Sequence, residues 1–285
     1  MAQDLIQRFL FKEHRVRGQF IQLNTAWQKM TAQRHYPAVI SKLLGELTAV
    51  SVILASGLKH QGKITLQIQG SGPVNLLVVE VTHDFKLRGL AKTSQAIEEQ
   101  ESMDELLGDG QILVTLENTQ TQHHFQSYVP REGATVAECF ETFFQQSEQL
   151  PSKIWLSANE TQLGGLLLQK MPDTDEQDAD AWERISHLAN TVKDEELLNL
   201  PCEEVLHRLF HEETLELFGG KAVQYECPQD KERVDAMLRG LGEAEVRSIL
   251  ADEGEVVIHN EICNYHLRYD EDAINSLFAS SDTVQ

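Results

Sequence analysis

Lys63-Ile64-Thr65-Leu66-Gln67-Ile68-Gln69, then Gly70-Ser71-Gly72-Pro73, then Val74-Asn75-Leu76-Leu77-Val78-Val79-Glu80-Val81 is the stretch that decides the fold class of this 285-residue chain. Ile64, Leu66 and Ile68 alternate with polar residues, the period of two that puts one face of a strand in a core and the other in solvent. The Gly-Ser-Gly-Pro segment turns the chain, because glycine reaches conformations closed to other residues and proline cannot continue a hydrogen-bonded ladder. A second strand-forming run follows at once. Outward from this hairpin, further strands are predicted over residues 86–91, 111–117, 123–129, 153–157 and 166–170, and short turns such as Gly108-Asp109-Gly110 suit antiparallel pairing. Helices are predicted over residues 36–58 and 135–149, the second with Val136, Phe140, Phe143 and Phe144 on one stripe. Strands interleaved with few helices predict an α+β fold: a β-rich N-terminal core domain with a buried helix, spanning residues 1–172.

Composition allows a sizeable core, with 41% hydrophobic residues. The most apolar stretch, residues 43–58, contains Glu46 and is flanked by Lys42 and Lys59, so it reads as a core helix and no membrane association is expected. Met1-Ala2-Gln3-Asp4 does not open a charged-then-apolar leader, and a cytoplasmic protein is the expectation. Charge is placed unevenly: residues 1–170 carry 17 acidic and 15 basic side chains, residues 171–285 carry 28 and 9, for a net −21. So acidic a second half, with no basic run in the first, disfavours nucleic acid as a partner.

After Met171-Pro172 comes Asp173-Thr174-Asp175-Glu176-Gln177-Asp178-Ala179-Asp180, a linker-like acidic run. Beyond it Trp182, Ile185, Leu188, Ala189 and Val192 recur at helical spacing, as do Val205, Leu206, Leu209 and Phe210 behind Pro201. Residues 173–220 hold 14 acidic and 3 basic groups, so this helical linker has narrow apolar faces and a heavy like-charge load. Such a segment folds only when docked on something, and then marginally. Gly219-Gly220 separates it from a small terminal module, residues 221–285, with helices predicted near residues 230–239 and 243–251 and a hairpin over residues 255–269.

The four cysteines, at positions 139, 202, 227 and 263, are too scattered for a secreted disulfide framework. Two of them sit in a suggestive frame, Cys227-Pro228-Gln229 and Asn260-Glu261-Ile262-Cys263. Thiols at Gln229 and Asn260 would give C-x-C and C-x-x-C, two short-spaced pairs able to converge on a tetrahedral zinc; amides stand at both positions.

In order along the chain come Val16-Arg17-Gly18, Gln69-Gly70-Ser71-Gly72-Pro73, Arg88-Gly89-Leu90-Ala91, Ser147-Glu148-Gln149-Leu150-Pro151, Gly164-Gly165-Leu166-Leu167-Leu168-Gln169, Arg208-Leu209-Phe210-His211-Glu212-Glu213 and Glu232-Arg233. Together with the cysteine frame they resemble the 33-kDa heat-shock protein family, the redox-switched holdase chaperones of bacteria. The resemblance implies an ATP-independent chaperone that holds unfolding or oxidatively damaged clients, is not an enzyme, and is a monomer with dimerisation on activation. It implies client contact through the linker, here Trp182, Ile185, Leu188, Leu206, Leu209 and Phe210. In the family, four thiolates bind zinc when reduced, and oxidation closes a disulfide within each pair, releases the metal and unfolds the module and linker. Neither local disulfide can form here, which implies a degenerate switch and no cofactor beyond a substitute zinc. Three states of the pair stay open: a zinc site of Cys227, Cys263, His266 and His259; a single Cys227–Cys263 disulfide; or two packed, reduced thiols.

Two other classes compete. A hydrolase would use Cys202 with His207, or His207 with His211; but the helix lacks a Glu directly after its first His, and Glu203 and Glu204 oppose a thiolate at Cys202. Gly70-x-Gly72-x-x-Asn75 lacks the third glycine of a dinucleotide site, and no phosphate-binding G-x-x-x-x-G-K-[ST] loop occurs. A dedicated adaptor for one folded partner is the third reading.

Overall fold

A computed structural model describes residues 4–95, 97, 102–172 and 180–279, so residues 173–179 of the acidic run lie outside the described residues. The chain divides into two compact units, Met1–Glu226 and Cys227–Gln285.

The first unit opens with β1 (Leu5–Phe11), β2 (Val16–Leu23), α1 (Thr25–Thr31), α2 (Ala38–Ala55), β3 (Gly62–Gln69), β4 (Val74–Thr82) and β5 (Lys86–Thr93). It continues with α3 (Met103–Leu107), β6 (Gln111–Asn118), β7 (His124–Val129), α4 (Val136–Ser147), β8 (Ser152–Ala158) and β9 (Leu163–Lys170). The linker helices α5 (Ala181–Ala189), α6 (Asp194–Asn199) and α7 (Cys202–Phe210) follow, then the short strands β10 (Leu215–Leu217), β11 (Lys221–Ala222) and β12 (Gln224–Tyr225). One sheet has the order β10-β1-β2-β9-β8, with β11 also on β1; the other has the order β12-β5-β4-β3-β6-β7. The fold is α+β, as the sequence predicts.

The hairpin of β3 and β4 pairs in register from Lys63 opposite Thr82 to Gln69 opposite Leu76. Ile64, Leu66 and Ile68 are buried, each almost wholly, against α2 and its surroundings. Helix α2 is apolar enough by length and composition to cross a bilayer, but it is the centre of the core, with Ile40, Leu44, Leu47, Val50 and Ile53 among its buried side chains. Its buried hydroxyls are satisfied locally: Thr48 donates to the Leu44 carbonyl and Ser51 to that of Leu47, both at 2.7 Å.

Strands β1 and β2 and helix α1 were not anticipated from the sequence. The reason lies in the first sheet, which is covered on both faces. Ile6, Ile21 and Leu167 face the core around α2, while Phe9, Phe11, Val16, Phe20, Leu166 and Leu168 face a second apolar cluster. A strand buried on both sides loses the polar alternation that betrays it.

The second unit contains α8 (Lys231–Leu241), α9 (Glu243–Glu253), a hairpin of β13 (Val256–Asn260) and β14 (Tyr265–Tyr269), and α10 (Glu271–Ala279). Its small core is Leu238, Val246, Val256, Tyr269, Ile274 and Leu277. Tyr269 is wholly buried and its hydroxyl donates to Asp235 at 2.7 Å.

Candidate functional site

The outer face of the first sheet is the floor on which the linker helices lie. Across β1 and β2, Gly18 stands opposite Phe9, and a Cβ there would meet the Phe9 ring at 2.0 Å, so glycine is what lets the ring lie flat on its neighbour. Phe9 and Phe11 sit 5.9 Å apart, and Phe210 of α7 meets Phe11 edge-on at 5.1 Å. Ile185, Ala189, Leu197, Val205, Leu206, Leu209 and Phe210 are buried on this floor, and Trp182 and Leu188 pack against it partly exposed. All six linker residues singled out from the sequence therefore share one cluster. What sequence reasoning missed is the floor itself.

Polar contacts hold the same helices. The short helix α6 ends at Asn199, leaving its last carbonyls without helical partners. Gln22 of β2, itself buried, supplies the cap from the core: its Nε2 donates to the carbonyls of Leu197 (3.1 Å), Leu198 (2.8 Å) and Leu200 (3.2 Å). Gly164 makes room, because a Cβ there would stand 2.2 Å from the Leu197 carbonyl. Trp155 Nε1 donates to Asn190 (3.2 Å) and Gln162 Nε2 to Asn199 (2.9 Å). Glu213, just past α7, accepts from Arg184 at 3.1 Å and pairs with His14 at 3.0 Å. On the opposite side of the helices Glu183, His187, Glu203, Glu204, His207 and Arg208 are exposed. The linker thus presents one apolar, capped face to the core and one charged face to water.

Inside the core, Glu46 of α2 lines an apolar cleft of about 190 Å³ with Val39, Leu43, Met103, Leu106 and Val136. Burial raises its pKa to about 7, against the pull of Lys42, and the Asp194 carboxylate at the start of α6 raises it further.

The nucleophile candidates lack the needed chemistry. Cys202, the first residue of α7, is buried in the cluster between the linker helices and the first sheet, and burial, helped by Glu203, pushes its thiol far above the ordinary range, so it carries no thiolate at neutral pH. His207 and His211 lie on the exposed face with ring centres 6.4 Å apart. Among the described residues no group of three or more His, Cys, Asp or Glu comes together as a metal site.

In the second unit, Cys227 precedes α8 and Cys263 sits in the turn between β13 and β14. The two are joined by a disulfide, with Cα atoms 5.7 Å apart. Of the three states open to the pair, the structure shows this one. Asn260, at a position where a fourth thiol would stand, accepts from the Cys263 N–H (3.1 Å) and so ties the turn, whose Asn264 takes a left-handed φ of 51°. His259 and His266 are opposite each other in the hairpin register, stacked with centroids 4.3 Å apart on its exposed face, and His259 is within 3.3 Å of the Asn264 amide oxygen. A four-thiolate zinc does not fit these residues: two thiols are bonded to each other, and the amide of Asn260 is engaged in the turn.

Comparison with known proteins places this geometry. The model of the Hsp33 protein family matches residues 4–270. A "33 kDa chaperonin" of Nitrosococcus oceani is 38% identical over 275 residues, covering 96% of this chain and 94% of that protein. One from Vibrio cholerae is 36% identical and one from Methylobacillus flagellatus 39%, each covering at least 95% of both chains. The crystal structure of a 33 kDa chaperonin from Thermotoga maritima superposes with a TM-score of 0.81 over 99% of this chain and 100% of that one; at 20% identity it speaks for the fold.

Proposed function

Because this chain belongs to the Hsp33 family, a chaperone family and not an enzyme family, we propose that it is an ATP-independent holdase whose client surface is the interface between the linker helices and the first sheet. One observation carries the reading: a strip of short, acidic helices, from α5 to α7, covers a floor of Phe9, Phe11, Phe20, Leu166 and Leu168 that would be a large apolar patch if bare. Contiguous apolar patches of this kind bind other chains. Each linker helix is under three turns long, too short to persist alone, so the strip is formed by its docking and lost with it. Undocking frees both partners at once: the floor, and Trp182, Ile185, Leu188, Leu206, Leu209 and Phe210. No step in this cycle consumes a nucleotide. The 28 carboxylates among residues 171–285 would keep the loaded complex in solution by repulsion.

The trigger differs from that of a four-cysteine relative. With the Cys227–Cys263 bond as the module's cross-link and amides at positions 229 and 260, oxidant has no short-spaced thiol pair to close. Heat or mild denaturant, acting on the marginal linker, is the trigger this chain supports. The test is aggregation of a heat-unfolded client, read by light scattering, after pretreating the protein with warmth or with peroxide in the cold. Warmth should activate, in parallel with protease cleavage within residues 180–217. Strong activation by peroxide in the cold, lost on replacing Cys227 and Cys263, would refute the proposed trigger.

A further inference from the structure

Sheet edges are where a folded protein invites another strand, and natural proteins close or charge them. In the first sheet, β1 is covered by β10 and β11, and β8 runs beside α4, whose Glu141 takes the Ile154 N–H at 2.9 Å. In the second sheet, β5 is covered by β12. Of these two sheets, that leaves β7, His124-Phe125-Gln126-Ser127-Tyr128-Val129, as a six-residue edge without a neighbouring strand on one side; the five-residue strands of the β13–β14 hairpin are the other open edges among the described residues. Strand β7 has no Lys, Arg, Asp, Glu or Pro, the residues that normally blunt an edge. It also shows the two most exposed large apolar side chains among the described residues, Phe125 (64%) and Tyr128 (66%).

The register shows how the edge is built. Leu116 lies opposite Phe125 and Leu113 opposite Tyr128, so the two rings stand on opposite faces of the sheet. The Asn118 N–H donates to the His123 carbonyl at 3.0 Å, so by the alternation of an antiparallel ladder His124, Gln126 and Tyr128 turn their N–H and C=O groups away from β6. A strand added there gains main-chain hydrogen bonds and a ring to pack on at each face.

We propose that β7 is a second client site, which takes an extended, uncharged or basic, proline-free segment of an unfolding polypeptide as an added strand. This rests on the chaperone reading and adds to it a site that is open while the linker is still docked. Three features choose this occupant. Recognition by backbone is indifferent to sequence, as chemically unrelated clients require. A six-residue strand pair buries far less than the roughly 1,200–2,000 Å² of a stable interface, so a second folded copy is disfavoured. The fold also already accepts short extended segments of its own at its other edges, through β10, β11 and β12.

The experiment uses the full-length protein and two variants. Gln126→Pro removes an outward N–H while sparing the ladder to β6, and Gln126→Lys keeps that N–H but charges the edge. The probe is a fluorescein-labelled eight-residue Val/Thr/Tyr peptide, with a proline-interrupted version as control, followed by anisotropy at a temperature where protease leaves residues 180–217 intact. Wild type should bind the first peptide and not the second; Gln126→Pro should bind about fivefold more weakly, the worth of one hydrogen bond, and Gln126→Lys, which keeps that N–H, should weaken binding less. Equal binding by all three proteins, or an edge-dependent dimer in sedimentation that Gln126→Pro dissolves, would overturn the proposal. Peptide binding that follows the edge in a protein that never suppresses client aggregation would sink the holdase reading and leave the edge site standing.

Discussion

Replacing Gln22 with Met isolates what holds the linker down. Met matches the length and bulk of the glutamine but donates nothing, so β2 keeps its packing while the carbonyls of Leu197, Leu198 and Leu200 lose their donor. A buried acceptor left without a partner costs about 1–3 kcal/mol. The docked population should fall by between about fivefold and a hundredfold relative to the undocked one. The core around α2 should change far less, since Gln22 shares the linker face of β2 with Phe20, while Ile21 and Leu23 turn to the other face. The expected result is a drop of roughly 5 °C in the temperature at which residues 180–217 become protease-sensitive, and an equal drop in the temperature of half-maximal client protection. The Tm of the β-core, followed by circular dichroism of the strands, should move far less. Hydrogen exchange at the Leu197, Leu198 and Leu200 amides gives an independent reading of the same opening. If Gln22→Met protects clients at the wild-type temperature and the linker resists protease as before, the amide cap does not gate release. If linker cleavage moves but client protection does not, the floor under the helices is not the client surface.

Three further outcomes follow from other parts of the chain. Glu46 has a folded pKa of about 7 against an ordinary 4.5, so the folded state binds more protons in that window and loses up to about 3 kcal/mol of stability as pH rises through it; Tm should fall between pH 5 and pH 8 in wild type and much less in Glu46→Gln, and an equal fall in both would exclude Glu46 as the cause. The Cys227–Cys263 bond links residues 36 apart in sequence and should stabilise the terminal module by about 4 kcal/mol; reduction, or Cys263→Ser, should speed proteolysis after residue 227, and faster cleavage of the bonded form would reverse the assigned sign. Purified protein should retain no equivalent of zinc through dialysis, because the thiols are bonded to each other; a retained equivalent lost in His259→Ala or His266→Ala would establish a substitute site instead.

The sequence determined what depends on near neighbours. Alternation over residues 63–69, the glycine-proline turn after it and the long apolar run around Glu46 placed the β3–β4 hairpin and α2, because strand and helix periods are read within a few residues. The excess of carboxylates on narrow apolar stripes marked α5 and α7, though not the short α6 between them, as helices in need of a floor, and Gln229 and Asn260 announced that four thiolates could not be assembled. Tertiary structure decided the rest. Strands β1 and β2 were hidden because both of their faces are covered, which erases alternation, and the floor of Phe9, Phe11 and Phe20 exists only once β1, β2 and β9 lie side by side. Gln22 caps a helix some 175 residues away along the chain, and nothing near it in sequence tells a buried amide with three carbonyl partners from an ordinary exposed one. Whether Cys227 meets Cys263 or stays apart rests on the β13–β14 turn bringing their Cα atoms to 5.7 Å, and whether β7 is an edge or an interior strand rests on which segments take the other edges. Distance along the chain costs only loop entropy, so pairings of this kind are selected by the packing of the whole unit and leave little local trace.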